Sequence, residues 1–391
     1  MRGAGLDLFL VSALDSLYYL TGAGFEPLER PFFLLVRPEQ APLLLVPRLD
    51  QEHMEKAHGV AAESIHSYWE FPAVPGRGWP DRLREFMGSV QTLGVEPTMP
   101  RDIADHLRDY SLRTEPLVER LRLVKSDAEI AMIRRAAKYA DLGVDRLLAA
   151  SYFGATVAEG FAETRTVTSR IIREVDNWEA LTTKVVMATW AAPRSAMPHA
   201  VPDLCDRLLD GPHVALVLTR VNGYSAENER TYFTAPPSRE VRHAFAAMME
   251  ARRIAFGMIR PGAPCGELDA AVSTFLRSEG YEGEARRLHR TGHGFGLGNH
   301  EAPWIAEGSD DRFATNMVIS IEPGIYLPGV GGIRHSDTVL VTKDGYELLT
   351  RYPVDLDELT IRGWNVGARI KGHLVRKALR LADKSQLARQ Q

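Results

Sequence analysis

Short apolar runs of strand length alternate with turn signals over roughly the first 115 residues. Leu8-Phe9-Leu10-Val11 is a buried-strand run. Phe32 to Val36 and Leu43 to Val46 flank Arg37-Pro38-Glu39-Gln40-Ala41-Pro42, a hairpin-like connection. Tyr18-Tyr19-Leu20-Thr21-Gly22 closes on a turn signal, and a helical pattern covers Asp81 to Met87. This part reads as a small α/β layer.

The rhythm then changes. Ser126-Asp127-Ala128-Glu129 is a capping box, in which the Ser126 hydroxyl takes one free N–H and Glu129 reaches back to another. Behind it Ile130, Ile133, Ala137, Ala140 and Leu142 recur at helical spacing. Helices with Arg/Glu faces continue to about Val175. Strand-like segments follow at Thr183 to Met187, Val214 to Leu218, Met317 to Ile321 and Thr338 to Thr342, the last preceding an Asp344-Gly345 turn. The expected organisation is an N-terminal domain over 1–118, a second domain over 119–360 and a tail over 361–391. The tail carries Arg362, Arg369, Lys371, Arg376, Lys377, Arg380, Lys384 and Arg389 against Asp383 alone, a charge of +7 that leaves −11 on the remainder. Leu374, Ala378, Leu379 and Ala382 share one helical face. A solvated basic helix is the plain reading, and docking on the acidic body the sharper one.

Composition narrows the function. The chain has 391 residues, 45% hydrophobic and 25% charged, with a net charge of −4. No basic excess points to nucleic acid. No apolar run approaches the ~18 residues a membrane helix needs, and Asp7 and Asp15 interrupt any secretory pattern at the start. Cys205 and Cys265 are too few for a disulfide framework or a Cys-rich zinc site. A soluble, cytoplasmic enzyme with a small-molecule substrate is expected, with no nucleic-acid or membrane partner.

Four segments set ionisable residues in apolar or glycine-rich surroundings: Ala196 to Pro202 around His199, Gly223 to Thr231, Gly292 to Glu301, and Ile321-Glu322-Pro323-Gly324 with Gly332 to Asp337. Glycines around His293 let the backbone approach something closely, and His300 follows. Histidines flanked by glycine in a strand-like run are poorly explained as core filler. Elsewhere Lys184, Arg194 and His213 read as solvated, and Asp337 with Arg334 reads as a buried ion pair closing the last strand.

With Gly5-Leu6-Asp7, Tyr18 to Gly22 and Leu121 to Ser126, these segments resemble the creatinase / aminopeptidase P / prolidase family over about residues 5–350. The resemblance implies an α+β protein: a pita-bread catalytic domain behind a smaller N-terminal α/β domain. The metal-dependent members hold two divalent ions with two Asp, one His and two Glu. The corresponding positions here are Leu216 or Val217, Glu227, His293, Glu322 and Ser336. An aliphatic side chain cannot ligate a cation, so the two-metal centre reads as lost, leaving a single ion on Glu227, His293 and Glu322 as the residual option.

The chain is closer to the metal-free creatinase branch, with His199 and Glu229 at that branch's catalytic positions and Arg30 at the place of an Arg that holds substrate carboxylate from the neighbouring subunit. The branch's second substrate Arg falls on Trp304. The implied reading is a metal-independent hydrolase of a C–N bond in a small cationic, amidine- or guanidine-like or cyclic, substrate, without metal or cofactor, acting as a homodimer with active sites near the subunit boundary. His199 would be the general base, Glu229, Glu322 and His300 further catalytic groups, and Arg30, Glu227, His293, Tyr224 and Trp304 the substrate-binding set. The alternatives are a metal-dependent Xaa-Pro peptidase with a rearranged site, and a binding scaffold without catalysis.

Overall fold

Leu8–Val11 (β1) buries all four of its side chains. Phe9 and Val11 join a core with Phe25, Phe32 and Leu44 on one side of a sheet, while Leu8 and Leu10 join Phe33, Trp79 and Leu93 on the other. That is why the run is apolar at every position rather than alternating. The sheet also contains β2 (Phe33–Val36), β3 (Leu43–Pro47), β4 (Ile65–Tyr68), β5 (Thr92–Val95) and β6 (Ser111–Thr114), in the order β4-β3-β2-β1-β5-β6. Tyr18 to Thr21 belong to helix α1 (Leu14–Thr21), which Gly22 ends with a left-handed φ of 65°. Helix α2 spans Trp79–Met87.

The computed structural model describes residues 1–70, 72–283 and 287–381, so Ala382, Asp383, Lys384 and Arg389 of the basic tail lie outside the described residues. The chain divides into two compact units, Met1–Arg122 and Leu123–Gln391. No helix among the described residues is long and apolar enough to cross a membrane.

The second unit is led by α3 (Asp127–Ala149), whose Ser126/Glu129 capping box forms as the sequence implies. α3 covers one face of a sheet built from β7 (Lys184–Trp190), β8 (His213–Val221), β9 (Tyr224–Tyr232), β10 (Gly292–Gly294), β11 (Glu301–Ile305), β12 (Val318–Ile321) and β15 (Ser336–Thr342). Their order is β11-β10-β12-β15-β9-β8-β7, with β16 (Gly345–Leu348) on β15. A separate hairpin pairs β13 (Gly324–Leu327) with β14 (Gly331–Arg334). The glycines around His293 answer a packing need. A Cβ on Gly292 would lie 2.1 Å from Ser320 O, and one on Gly294 2.1 Å from Ala302 O, both backbone atoms of flanking segments.

Short helix α4 (Val157–Phe161) and the longer α5 (Arg239–Met258) and α6 (Cys265–Ser278) flank the sheet, and the tail forms α7 (Val366–Ala378). α7 turns charge inward: Lys371 pairs with Glu163 and Arg376 with Glu159, both glutamates buried. Val366, Ile370 and Leu374 are exposed instead. His213, read as solvated, is fully buried, because β8 is covered there and its ring accepts from Ala192 N and meets Leu209 O and Thr234 Oγ1.

Candidate active site

Alternation along β9 sorts the candidate residues. Asn228 donates to Asp141 and Tyr224 to Glu129, both on α3, so even-numbered positions face the helix. Glu227 and Glu229 therefore face the other way. Tyr224, expected at the substrate, is on the wrong side of the strand; its hydroxyl is 3.2 Å from Glu129 Oε1.

The same rule separates Leu216 from Val217. Leu216 lies opposite Glu229 and shares its face, whereas Val217 lies opposite Asn228 and packs toward Gly143 of α3. Leu216 is thus the aliphatic residue beside the carboxylates. Alternation likewise undoes the expected Arg334–Asp337 pair. Asp337 pairs with Arg230 and Arg252 on the covered side, and Arg334 pairs with Glu229 on the open side.

Glu227, His293 and Glu322 converge, with one ligand-type atom from each lying within 4.8 Å of the others. β9, β10 and the end of β12 bring them together. Ser336 on β15 donates its hydroxyl to Glu227 Oε1 at 2.5 Å. Glu322 is anchored through its own N–H to Thr291 O at 2.8 Å, and Thr291 is held by buried Asp269 of α6. His293 has Nδ1 3.1 Å from Gly294 O, so we assign the ring proton there. Nε2 then faces the carboxylates. It is buried and lacks a hydrogen bond, although Glu322 Oε1 is 3.3 Å away.

That arrangement fits a divalent cation. One imidazole nitrogen with its tautomer fixed from behind and two carboxylates make a three-ligand set of the kind that leaves coordination positions open. The electrostatics agree. Burial, then the charges of Glu229 and Glu322, push the Glu227 carboxyl well above its ordinary range. Burial also works against ionising Glu322, but the imidazoles of His293 and His289 and the Arg334 guanidinium outweigh it and hold that group low. Glu227, crowded by two other carboxylates, would gain a counter-charge from a dication.

Around this cluster stand the remaining groups. His300 meets His293 edge to face, ring centres 4.2 Å apart. Partial burial and the neighbouring charges of His293, Arg290 and His199 push its pKa down to about 4. His199 is exposed on the loop after β7, near enough to influence His300. Trp304 lies directly across from His293 in the β10–β11 register. Glu229 is engaged by Arg334, which also reaches the Tyr326 hydroxyl at 3.2 Å; Tyr326 in turn is 2.7 Å from His289 Nε2.

Arg30 belongs to the first unit, 3.7 Å from Asp50, with its Nε buried and unpartnered beside a cavity of about 380 Å³. His289, Arg290, Tyr326, Thr291 and Asp269 were not anticipated. His289 and Arg290 stand just ahead of the glycine-flanked His293, a position that signals them in hindsight. Asp269 carries no such signal.

Residues 131–343 match the family model for metallopeptidase family M24, and residues 1–124 the Creatinase/Prolidase N-terminal domain. An uncharacterized peptidase of Staphylococcus aureus is 30% identical over 339 residues, which is 86% of this chain and 92% of that protein. The prolidase of Thermococcus sibiricus superposes with a TM-score of 0.77 at 27% identity, covering 91% of this chain and 95% of that one. The Xaa-Pro dipeptidase of Bacillus anthracis gives 0.74 at 26% identity, covering 91% and 96%. These similarities overturn the metal-independent, amidine-cleaving expectation: the relatives are peptidases of a metallopeptidase family. The physical reason is visible in the site. The expectation weighed the loss of ligands at Leu216 and Ser336 more heavily than the three that remain and meet.

Proposed function

The chain belongs to metallopeptidase family M24, with its pita-bread fold and smaller N-terminal domain, and from that premise we propose that it hydrolyses a peptide bond in short Xaa-Pro peptides with a divalent cation held by Glu227, His293 and Glu322. The observation that carries this reading is the buried, unpartnered Nε2 of His293 set against two carboxylates. When bound, such a cation supplies Lewis-acid polarisation of a carbonyl and acidifies water.

The chain's own residues do the rest. Glu322, held low by the imidazoles of His293 and His289 and by the Arg334 guanidinium, is available as a ligand at neutral pH. Glu227, whose carboxyl is raised, would have to give up its proton to serve as a ligand. His300, neutral at pH 7, offers one N–H and one lone pair at the open side, suited to a hydrogen bond on the substrate and to passing a proton to the leaving nitrogen. Glu229 is neutralised by Arg334 and is better suited to fixing the walls than to gripping a cationic substrate. We further propose a homodimer in which Arg30 serves the partner's site.

The test is direct. Purified protein, stripped with EDTA and resupplied with Mn²⁺, Co²⁺ or Zn²⁺, should regain cleavage of Ala-Pro and release proline. Equal activity with and without chelator would overturn the reading. Arg30→Ala with unchanged KM, or full activity in a monomer shown by sedimentation, would remove the dimer component.

A further inference from the structure

Helix α7 holds down a segment that in turn holds the loop of His199. Arg376 pairs with Glu159 and donates to the Tyr152 hydroxyl at 2.8 Å, while Lys371 pairs with Glu163. Tyr152 itself donates to Glu159 Oε2 at 2.7 Å, and Glu159 Oε1 accepts from Thr156 N at 2.9 Å, closing the first turn of α4. Glu159 and Glu163 are 3% and 4% exposed. A carboxylate buried that deeply is costly without a counter-charge, and α7 brings the cations that pair with both. The fit is close: a Cβ on Gly372 would lie 1.8 Å from Glu159 Oε2.

The segment under α7 is paired along its backbone with the far end of the His199 loop. Gly154 N donates to Leu208 O at 2.7 Å and Leu208 N to Ala155 O at 2.8 Å. Val157 N donates to Asp206 O at 3.0 Å and Ala158 N to Leu204 O at 3.2 Å. Asp206 also pairs with Arg194 near the loop's beginning. The near end has its own anchor in Ser195, whose Oγ accepts from Gly332 N of β14 at 3.0 Å and donates to Pro212 O at 2.7 Å. Between the anchors the Trp190 indole of β7 donates to Ala200 O at 2.5 Å, and Met197, His199 and Val201 are exposed. The stretch is thus fixed at two ends, and one of them rests on α7.

We propose that α7 is a brace for this loop: by supplying the counter-charges of Glu159 and Glu163 it holds residues 154–158 in place, and through them the stance of His199 beside His300. Arg376, Glu159 and Gly372 are then positioning residues outside the ligand cluster. They act through packed segments and backbone pairing rather than by touching substrate. The consequence for turnover rests on the peptidase reading above; the bracing itself does not.

The probe is amide hydrogen exchange, read by mass spectrometry on the full Mn²⁺-loaded chain as wild type, Gly372→Val, Arg376→Met and Arg376→Lys. Gly372→Val wedges α7 off Glu159, Arg376→Met removes the counter-charge, and Arg376→Lys keeps it. In the first two variants exchange over 154–158 and 197–210 should rise at least about tenfold, as a local opening does, while β9 exchanges as in wild type. Arg376→Lys should stay within about threefold of wild type, since the charge remains. In the first two variants kcat/KM for Ala-Pro should fall about tenfold or more with Mn²⁺ still bound, because a misplaced group costs rate without costing metal. Unchanged exchange over 197–210 in a variant whose 366–378 amides have lost protection would overturn the proposal, as would a rise shared equally by β9. Turnover separates the two readings. A loosened loop in a protein that cleaves no dipeptide with Mn²⁺, Co²⁺ or Zn²⁺ sinks the peptidase reading and leaves the brace standing. A loosened loop with wild-type kcat/KM for Ala-Pro does the reverse, ending the positioning role.

Discussion

Arg334 donates through Nη2 to Glu229 Oε1 at 2.7 Å, and both side chains are almost wholly withdrawn from solvent, 7% and 2% exposed. Each is the other's counter-charge, at the centre of a pocket that already holds two more carboxylates. Glu229→Gln should therefore act on stability before it acts on substrate. Leaving Arg334 buried without its partner should cost about 3–5 kcal/mol. Joining it to Arg334→Met should return at least about 1 kcal/mol, because no buried charge is then stranded. Urea unfolding of the two single variants and the double variant checks this; additive losses would mean that the pair is not coupled.

Strand alternation makes a prediction about Tyr224. Because its hydroxyl meets Glu129 on the α3 side, Tyr224→Phe should lower stability by about 1 kcal/mol or less, the ordinary worth of one hydrogen bond. Its kcat/KM should stay within about twofold of wild type. A drop of tenfold or more in kcat/KM without unfolding would place Tyr224 at the substrate after all.

Metal retention should track the converging trio. His293→Ala and Glu322→Gln are each expected to lose bound Mn²⁺, measured by equilibrium dialysis, and to lower turnover by about 10²-fold or more. His300→Ala should keep Mn²⁺ while losing about 10²–10⁴-fold in kcat, the range for a proton-transfer group. If His300→Ala turns over normally and His199→Ala does not, the proton work belongs to the loop after β7.

His213 makes stability depend on pH. Burial lowers its pKa to about 4, whereas in an unfolded chain it titrates near 6.5. Between those values the unfolded state binds the proton and the folded state does not. Stability should therefore be fully present above about pH 6.5 and fall as pH drops toward 4, by up to about 1.4 kcal/mol per pH unit from this group. Urea unfolding at pH 7, 6 and 5 should show that loss, and His213→Gln should flatten it. An identical slope in the variant would assign the dependence elsewhere.

Local rules alone settled much of this molecule. The runs Leu8–Val11 and Leu43–Val46, the Ser126/Glu129 box and the Asp344-Gly345 turn are short-range patterns, and each marks an element that forms. Glycine-flanked His293, and Glu322 at the end of an apolar run, stand out because charge among small or apolar residues is costly without a purpose. What stayed hidden depends on which face of a strand meets which neighbour. A one-residue shift decides whether Leu216 or Val217 sits beside the carboxylates, whether Tyr224 touches substrate or helix, and whether Arg334 pairs with Glu229 or Asp337. His213 looked solvated because its covering residues, Leu209 and Thr234, come from loops that composition does not place. The likeness to metal-free relatives counted missing ligands one by one along the chain. Which of the remaining ones meet is a matter of distance, and only folding brings one ligand-type atom from each of Glu227, His293 and Glu322 within 4.8 Å of the others.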